Sequence, residues 1–368
     1  MTANLRHAAG SLLVVGVTGT ELTGLERAWL KLVRPAGVIL FRRNIADPHQ
    51  TRALLSEATC LGVKDSFRCV DVEGGVVDRL RDALAPMPSA QAVARAARAL
   101  DKNGLARQHG ELVARAMQAF GFNTTLAPVL DLGLSTSASV MGTRTSAETS
   151  TGVIEYVRGF LAGLSARGAV GCGKHFPGLG GGTLDSHLET PKIHRSWQEL
   201  WREDLAPYRE LHDELPMVMV NHAAYPDTAG RNRPASVSSY WIEKVLRKRI
   251  GYRGIVFSDD LEMGGILKFM PIEEAAVAAI RGGTDLLEIC HSPELILRAY
   301  ESMITEAERS AAFRSLLLTR ASRLARLRSK LFASGVSPTL SPKQFEALRN
   351  RVLRFGEEIK SIQETQSL

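Results

Sequence analysis

Ala169-Val-Gly-Cys-Gly-Lys-His-Phe-Pro-Gly-Leu-Gly-Gly-Gly-Thr-Leu-Asp-Ser-His187 contains both halves of a pattern that recurs along the chain. Its first four residues form an apolar run that suits a buried strand. From Gly173 the run passes Pro177 and the glycines Gly178, Gly180, Gly181 and Gly182. It then has too few side chains for a helix or a packed strand, and reads as a loop. Lys174 and His175 open that loop; Asp185 and His187 close it. A solvated surface loop can carry such charges. Catalytic groups, however, often sit on loops held by a rigid scaffold.

Outward from this stretch the same unit repeats. Apolar runs at 12–17, 38–41, 67–70, 122–126, 169–172, 217–220, 255–257 and 285–289 read as strands. Helical spacing fills the intervals at 21–33, 49–59, 89–119, 147–167, 197–212, 239–250, 272–281 and 293–306. Eight strand–helix alternations predict one α/β domain, a (β/α)8 barrel of the TIM type over residues 1–306. No Gly-x-Gly-x-x-Gly follows the first strand, so a dinucleotide fold lacks its signal. Residues 307–368 read as a C-terminal helical extension of two basic amphipathic helices, at 309–332 and 342–362. They are expected to pack on the barrel and expose a basic face, with a membrane-surface or nucleic-acid role as the lesser alternative.

The 368 residues are 45% hydrophobic and 23% charged, ordinary globular values. Net charge is +7, yet residues 296–368 alone hold thirteen Lys/Arg against seven Glu and no Asp. The basic excess therefore belongs to the extension, and the main body is not expected to bind nucleic acid. No run approaches the roughly 18 apolar residues of a membrane helix. Arg6 ahead of the short run 12–17 resembles a weak signal peptide, but that run is needed as the first strand. Cys60, Cys69, Cys172 and Cys290 have no short spacing that suggests a disulfide framework or a zinc site. They read as reduced thiols of a cytoplasmic protein.

The polar residues follow the strands. Asp71 comes after the third, Arg144 lies beyond the fourth, and Lys174-His175 come after the fifth. Asn221-His222 follow the sixth and Asp259-Asp260 the seventh. Barrels of this kind gather their sites at those strand ends. Alternation along a strand would point Asp259 and Asp260 opposite ways, so that one faces the axis and the other accepts a loop amide. Asp185 and His187, two apart, can share one side of an extended loop and pair. A His so held can give and take a proton while a separate carboxylate acts as nucleophile, a division of labour that suits acetal cleavage.

Lys174-His-Phe-Pro-Gly178, Asp185-Ser-His187 and Ser258-Asp-Asp-Leu-Glu-Met263 resemble glycoside hydrolase family 3, over roughly residues 10–305. The nearest likeness is to its single-domain bacterial β-N-acetylglucosaminidases. The resemblance implies a retaining enzyme that frees terminal non-reducing N-acetylglucosamine, in bacteria usually from peptidoglycan fragments. It implies no metal and no organic cofactor. It makes Asp259 the nucleophile, His187 the acid/base and Asp185 its partner. It gives Asp71, Arg79, Arg144, Lys174 and His175 to the sugar; His222, after the sixth strand, is placed with them. The chain departs from the family pattern at Val72, Val76, Leu179 and Gly181, where Gln, Arg, His and Asp are usual. Loop closure and aglycone preference are the properties those positions touch.

Three other readings compete. A metal-dependent hydrolase could draw on His175, His187, His222, Asp185 and Asp259, but no His-x-His or His-Glu-x-x-His pair supports it. A non-catalytic sugar-binding protein would not need Asp185, His187 and Asp259 together. A phosphorylase, or another β-glycosidase of the family, would use the same residues. The expected partner is a small carbohydrate or muropeptide, with no nucleic acid and no integral membrane segment, and the expected state is a monomer.

Overall fold

The structure, a computed structural model, describes residues 2–100, 104–182, 190–333, 335 and 337–366. Eight parallel strands close into a barrel: β1 (Leu13–Gly16), β2 (Gly37–Leu40), β3 (Phe67–Val70), β4 (Thr124–Thr125), β5 (Val170–Phe176), β6 (Met217–Val220), β7 (Ile255–Asp260) and β8 (Leu286–Ile289). Each pairs with its neighbours in sequence, and β8 closes on β1 through Leu13, Val14 and Val15. All eight expected strands are present, which makes the fold a TIM-type barrel. Their side chains are almost wholly buried, as expected for a parallel sheet covered by helices.

Two strands run further than their apolar stretches suggest. β5 continues through Gly173, Lys174 and His175, which the sequence assigns to loop. The neighbouring segment explains this: Lys174 N–H donates to Pro128 O at 3.1 Å, and Leu130 N–H donates to Lys174 O at 2.6 Å. β7 likewise continues through Ser258, Asp259 and Asp260. Both extensions carry a register shift. On β5, Gly173 pairs with Val218 but Phe176 with Val220; on β7, Phe257 pairs with Leu286 but Asp260 with Glu288. Each is one extra residue on one strand, a bulge, which bends the strand and re-aims its side chains.

Other elements differ in detail. A helix, Thr2–Gly10, precedes β1. The helix expected over 197–212 is two short pieces, Trp197–Arg202 and Ala206–Leu211, with Pro207 in the first turn of the second, where its missing N–H costs nothing. A small antiparallel hairpin, Val72–Gly74 with Val77–Asp78, follows β3. Its turn needs Gly74 and Gly75, at φ 88° and 63°. A Cβ at Gly74 would also meet Pro88 O at 2.1 Å.

The helix Ala311–Leu331 lies across the N-terminal end of the barrel, and its arginines face inward more than the amphipathic pattern suggests. Arg323 reaches Asp285 at 2.7 Å and the carbonyl of Arg253 at 2.6 Å. Arg320 pairs with Glu243 at 2.5 Å, and Arg328 donates to Lys64 O at 3.1 Å. The last helix, Pro342–Gln366, packs on Ala90–Ala99 and Gly104–Ala119 through buried Leu348, Val352, Phe355 and Ile359. Cys69, Cys172 and Cys290 are buried thiols and Cys60 is exposed. No helix among the described residues is long and apolar enough to cross a membrane.

Candidate active site

A cavity of about 340 Å³ opens at the C-terminal ends of the strands. Asp71, Arg79, Arg144, Lys174, His175 and Asp259 all line it. The two bulges explain how adjacent residues can share this wall. Lys174 with His175 on β5, and Asp259 with Asp260 on β7, each reach the cavity as a pair. Strict alternation would turn one member of each pair away; here both members of each pair line the cavity, while one aspartate still takes the expected loop-amide role. Asp260 does accept the loop amide of Glu262, at 3.0 Å, and Asp259 Oδ1 accepts the N–H of Asp260 at 3.0 Å.

Two acids on the segment after β3 organise the cations. Lys174 Nζ lies 3.0 Å from Asp71 and 2.7 Å from Glu73. Arg144 grips Glu73 with both Nε and Nη2, at 2.8 and 2.9 Å. Arg79 reaches Asp71 at 3.4 Å. Such forked, charge-assisted contacts fix direction as well as distance. Burial alone would raise the Glu73 carboxyl, but Arg144 and Lys174 outweigh it and hold it far below the ordinary range. Asp71 is lowered in the same way, by Lys174 and then Arg79 against burial. Burial opposes the charge on Lys174 and Arg144, yet the carboxylates lift both above their usual values.

His175 is held by Asp131. Its Nδ1 stands 2.6 Å from Asp131 Oδ2, which also accepts the His175 N–H at 3.1 Å. Asp131 Oδ1 accepts the Leu179 N–H at 2.7 Å. A proton on Nδ1 leaves Nε2 as an acceptor facing Arg144 Nη2, 3.4 Å away. One carboxylate thus sets a tautomer and pins the start of the loop beyond β5.

His222 is placed differently. It is fully buried, with Nδ1 2.8 Å from Ser236 Oγ and Nε2 2.8 Å from Asp260 O. It steadies the backbone under the aspartate pair and does not line the cavity. Both of its nitrogens are thus engaged by protein atoms. Asp185 and His187 lie outside the described residues. One other trio, Asp260, Glu262 and His291, brings ligand atoms within 4.8 Å of one another. Glu262 already accepts the N–H groups of Cys290, His291 and Ser292, so the trio works as a clasp on the loop after β8.

Sequence reasoning missed Glu73, Asp131 and Glu288. Glu73 lies between Asp71 and Arg79, and Asp131 stands just beyond Pro128, so both could have been flagged as acids at strand ends. Glu288 lay inside an apolar strand and gave no such signal. At the rim, His291 stacks on Phe41 at 5.3 Å between ring centres, with the Arg43 guanidinium 4.8 Å from the Phe41 ring. Of the departures from the family pattern, Leu179 lines the cavity, Val72 is buried and Val76 is 65% exposed. At Gly181 a Cβ would stand 2.9 Å from the Arg195 side chain.

Known proteins agree with this architecture. Residues 4–327 match the glycosyl hydrolase family 3 N-terminal domain. A protein of Alkalilimnicola ehrlichii named beta-hexosaminidase is 39% identical over 287 residues, 77% of this chain and 82% of that protein. One of the same name from Stenotrophomonas maltophilia is 35% identical, across 83% of this chain and 91% of that one. The structure of a family 3 β-N-acetylglucosaminidase from Paenibacillus sp. superposes with a TM-score of 0.84 at 29% identity, covering 96% of this chain and 68% of that one. NagZ from Neisseria gonorrhoeae, solved in complex with N-trifluoroacetyl-D-glucosamine, gives 0.71 at 29% identity, over 86% of this chain and 98% of that one. The family match spans nearly the whole barrel, and the chain belongs to glycosyl hydrolase family 3.

Proposed function

We propose that this protein is a β-N-acetylglucosaminidase that removes terminal non-reducing β-linked N-acetylglucosamine with retention of configuration. The observation that carries the reading is the Asp259 carboxyl in one cavity with Asp71, Arg79, Arg144, Lys174 and His175. Its volume, about 340 Å³, lies at the small end of ligand pockets and suits a single sugar unit. Relatives named beta-hexosaminidase support the same activity.

In the proposed cycle Asp259 attacks the anomeric carbon while the bond to the leaving oxygen breaks. His187, paired with Asp185, gives that oxygen its proton. Water, deprotonated by His187, then attacks the glycosyl-aspartate and frees both sugar and carboxylate. The paired cations Lys174 and Arg144 offer fixed N–H groups to sugar hydroxyls, and Asp71 accepts from them. Peptidoglycan turnover fragments are the proposed natural source and the cytoplasm the proposed site of action. The helices after residue 306 are proposed as scaffold.

The test is turnover of aryl glycosides. The N-acetyl-β-glucosaminide should be cleaved and the plain β-glucoside far less. Asp259→Ala should lower kcat by roughly a thousandfold or more, as removal of a nucleophile does. A variant with near-normal rates would overturn the assignment. Product formation that required phosphate would redirect the reading to a phosphorylase.

A further inference from the structure

Glu288 is 3% exposed on β8, yet its side chain lines the cavity. Its backbone is fixed from both sides by β7 and the turn beyond: Glu288 N–H donates to Ser258 Oγ at 3.0 Å, and Leu261 N–H donates to Glu288 O at 2.9 Å. Its carboxyl, by contrast, has no hydrogen-bond or ion-pair partner among the described residues. The other acids of the cavity differ. Asp71 and Glu73 are taken by Lys174, Arg79 and Arg144, and Asp260 by the Glu262 amide. The same cavity has an apolar side made by Ile39, Leu126 and Met219.

A buried polar group without a partner costs folding free energy and is kept only where something compensates. Here the carboxyl opens on the space where the sugar would lie. We propose that Glu288 is a specificity-determining residue whose carboxyl hydrogen-bonds a hydroxyl of the bound terminal sugar. The proposal rests on the glycosidase reading above and adds a contact to it. Asp71 on the segment after β3, Asp259 and Asp260 on β7, and Lys174 on β5 are the charged groups that face this carboxyl. Burial first, and then the three aspartates, push it well above the ordinary carboxyl range. An un-ionised carboxyl carries an O–H donor, which a carboxylate lacks. It would also spare the Asp259 nucleophile a second negative charge. The favoured substrates are pyranosides whose buried hydroxyl is free, and a sugar capped or deoxygenated there would be rejected.

The test compares Glu288→Leu and Glu288→Gln with the wild type on an aryl N-acetyl-β-glucosaminide and its 3-, 4- and 6-deoxy analogues. Glu288→Leu should lose about tenfold in kcat/KM on the parent, the size expected of one hydrogen bond. It should also stop discriminating against one of the deoxy analogues, which loss of packing alone would not do. Glu288→Gln, which keeps a donor of similar shape, should recover most of that loss. A Glu288→Leu enzyme with wild-type kcat/KM and unchanged discrimination would overturn the proposal; if Asp259→Ala were still inactive, the glycosidase reading would stand without it. Equal losses in both variants, with melting temperatures kept, would also overturn it, since the donor would then not be what matters. A wild type that cleaves no aryl glycoside would remove both.

Discussion

The two ends of the barrel are built from the same chemistry in opposite proportion. At the C-terminal end, five carboxyls (Asp71, Glu73, Asp259, Asp260 and Glu288) face three cations (Arg79, Arg144 and Lys174) around an open cavity. At the N-terminal end, Asp285 is shared by Arg247, Arg320 and Arg323 at 2.5, 3.6 and 2.7 Å. Arg247 and Arg323 there also donate to the carbonyls of Tyr252, Arg253 and Gly254. Excess acid at the mouth pushes Asp260 and Glu288 up, with burial the larger cause. At the base, burial and then the neighbouring arginines pull Arg247 down in spite of Asp285. Buried ion networks as such therefore do not mark a site. An opening beside them, and polar groups left over to face it, do.

That contrast can be broken most severely at the base. Asp285→Ala removes the only carboxylate that Arg247 contacts among the described residues, and strands the Val256 N–H that it accepts at 2.9 Å. Breaking a buried pair on one side costs about 3–5 kcal/mol. We expect that loss in chemical denaturation, with kcat per folded molecule unchanged. A comparable loss of kcat would mean that the two ends are coupled. At the mouth, Glu73→Gln keeps the shape but loosens the Arg144 fork and the Lys174 contact. Misplaced positioning groups cost on the order of a hundredfold. The loss should appear in kcat/KM and exceed the loss of stability.

The next effect depends on pH. Burial pushes Asp260 from its ordinary 3.8 to about 7. Because the folded value lies above the unfolded one, its contribution to stability is whole below about pH 4 and is lost as pH rises toward 7. Asp260→Asn cannot ionise and keeps the acceptor for the Glu262 amide. Its stability relative to wild type should therefore climb between those limits and level off above pH 7. Asp71 and Glu73 have the opposite sign: their folded values are lowered, so what they contribute is lost as pH falls below the ordinary carboxylate range. A flat difference between variant and wild type across the series would show that Asp260 is not held un-ionised.

The sequence makes the barrel legible because each strand is an uninterrupted buried run and each helix a 3.6-residue pattern, signals that depend on local residues alone. It places Asp71, Lys174, His175 and Asp259 at strand ends for the same reason. It does not disclose the bulges on β5 and β7, because register is settled between strands and leaves no trace in either one. Pleat alternation therefore anticipated the loop-amide role of one aspartate but not that both line the cavity. Glu288 was invisible for a related reason: a single acid in Leu-Leu-Glu-Ile reads as strand, and only closure of the barrel brings it beside Asp259 and Asp71. His222 was misleading because a strand-end histidine looks alike whether it faces a cavity or, as here, Ser236 and a backbone carbonyl.

The smallest effect sharpens the comparison most, because it separates charge from position within one helix. Arg323 and Arg326 are three residues apart on Ala311–Leu331, and a count of charges treats them as equal. Arg323 reaches Asp285 and two carbonyls, whereas Arg326 is exposed. If the basic extension serves the barrel base, Arg323→Ala should cost about 1–3 kcal/mol, from the lost ion pair with buried Asp285 and the lost carbonyl contacts. Arg326→Ala should stay within about 0.5 kcal/mol, as surface changes do. The measurement is denaturation of the two variants side by side, with binding to anionic vesicles read in parallel. Equal and small losses of stability, together with vesicle binding that falls in Arg326→Ala, would assign the extension's charge to a surface outside the molecule. Unequal losses with no vesicle binding would place its work at the closed end of the barrel, where the arginines hold Asp285 and the carbonyls after Tyr252.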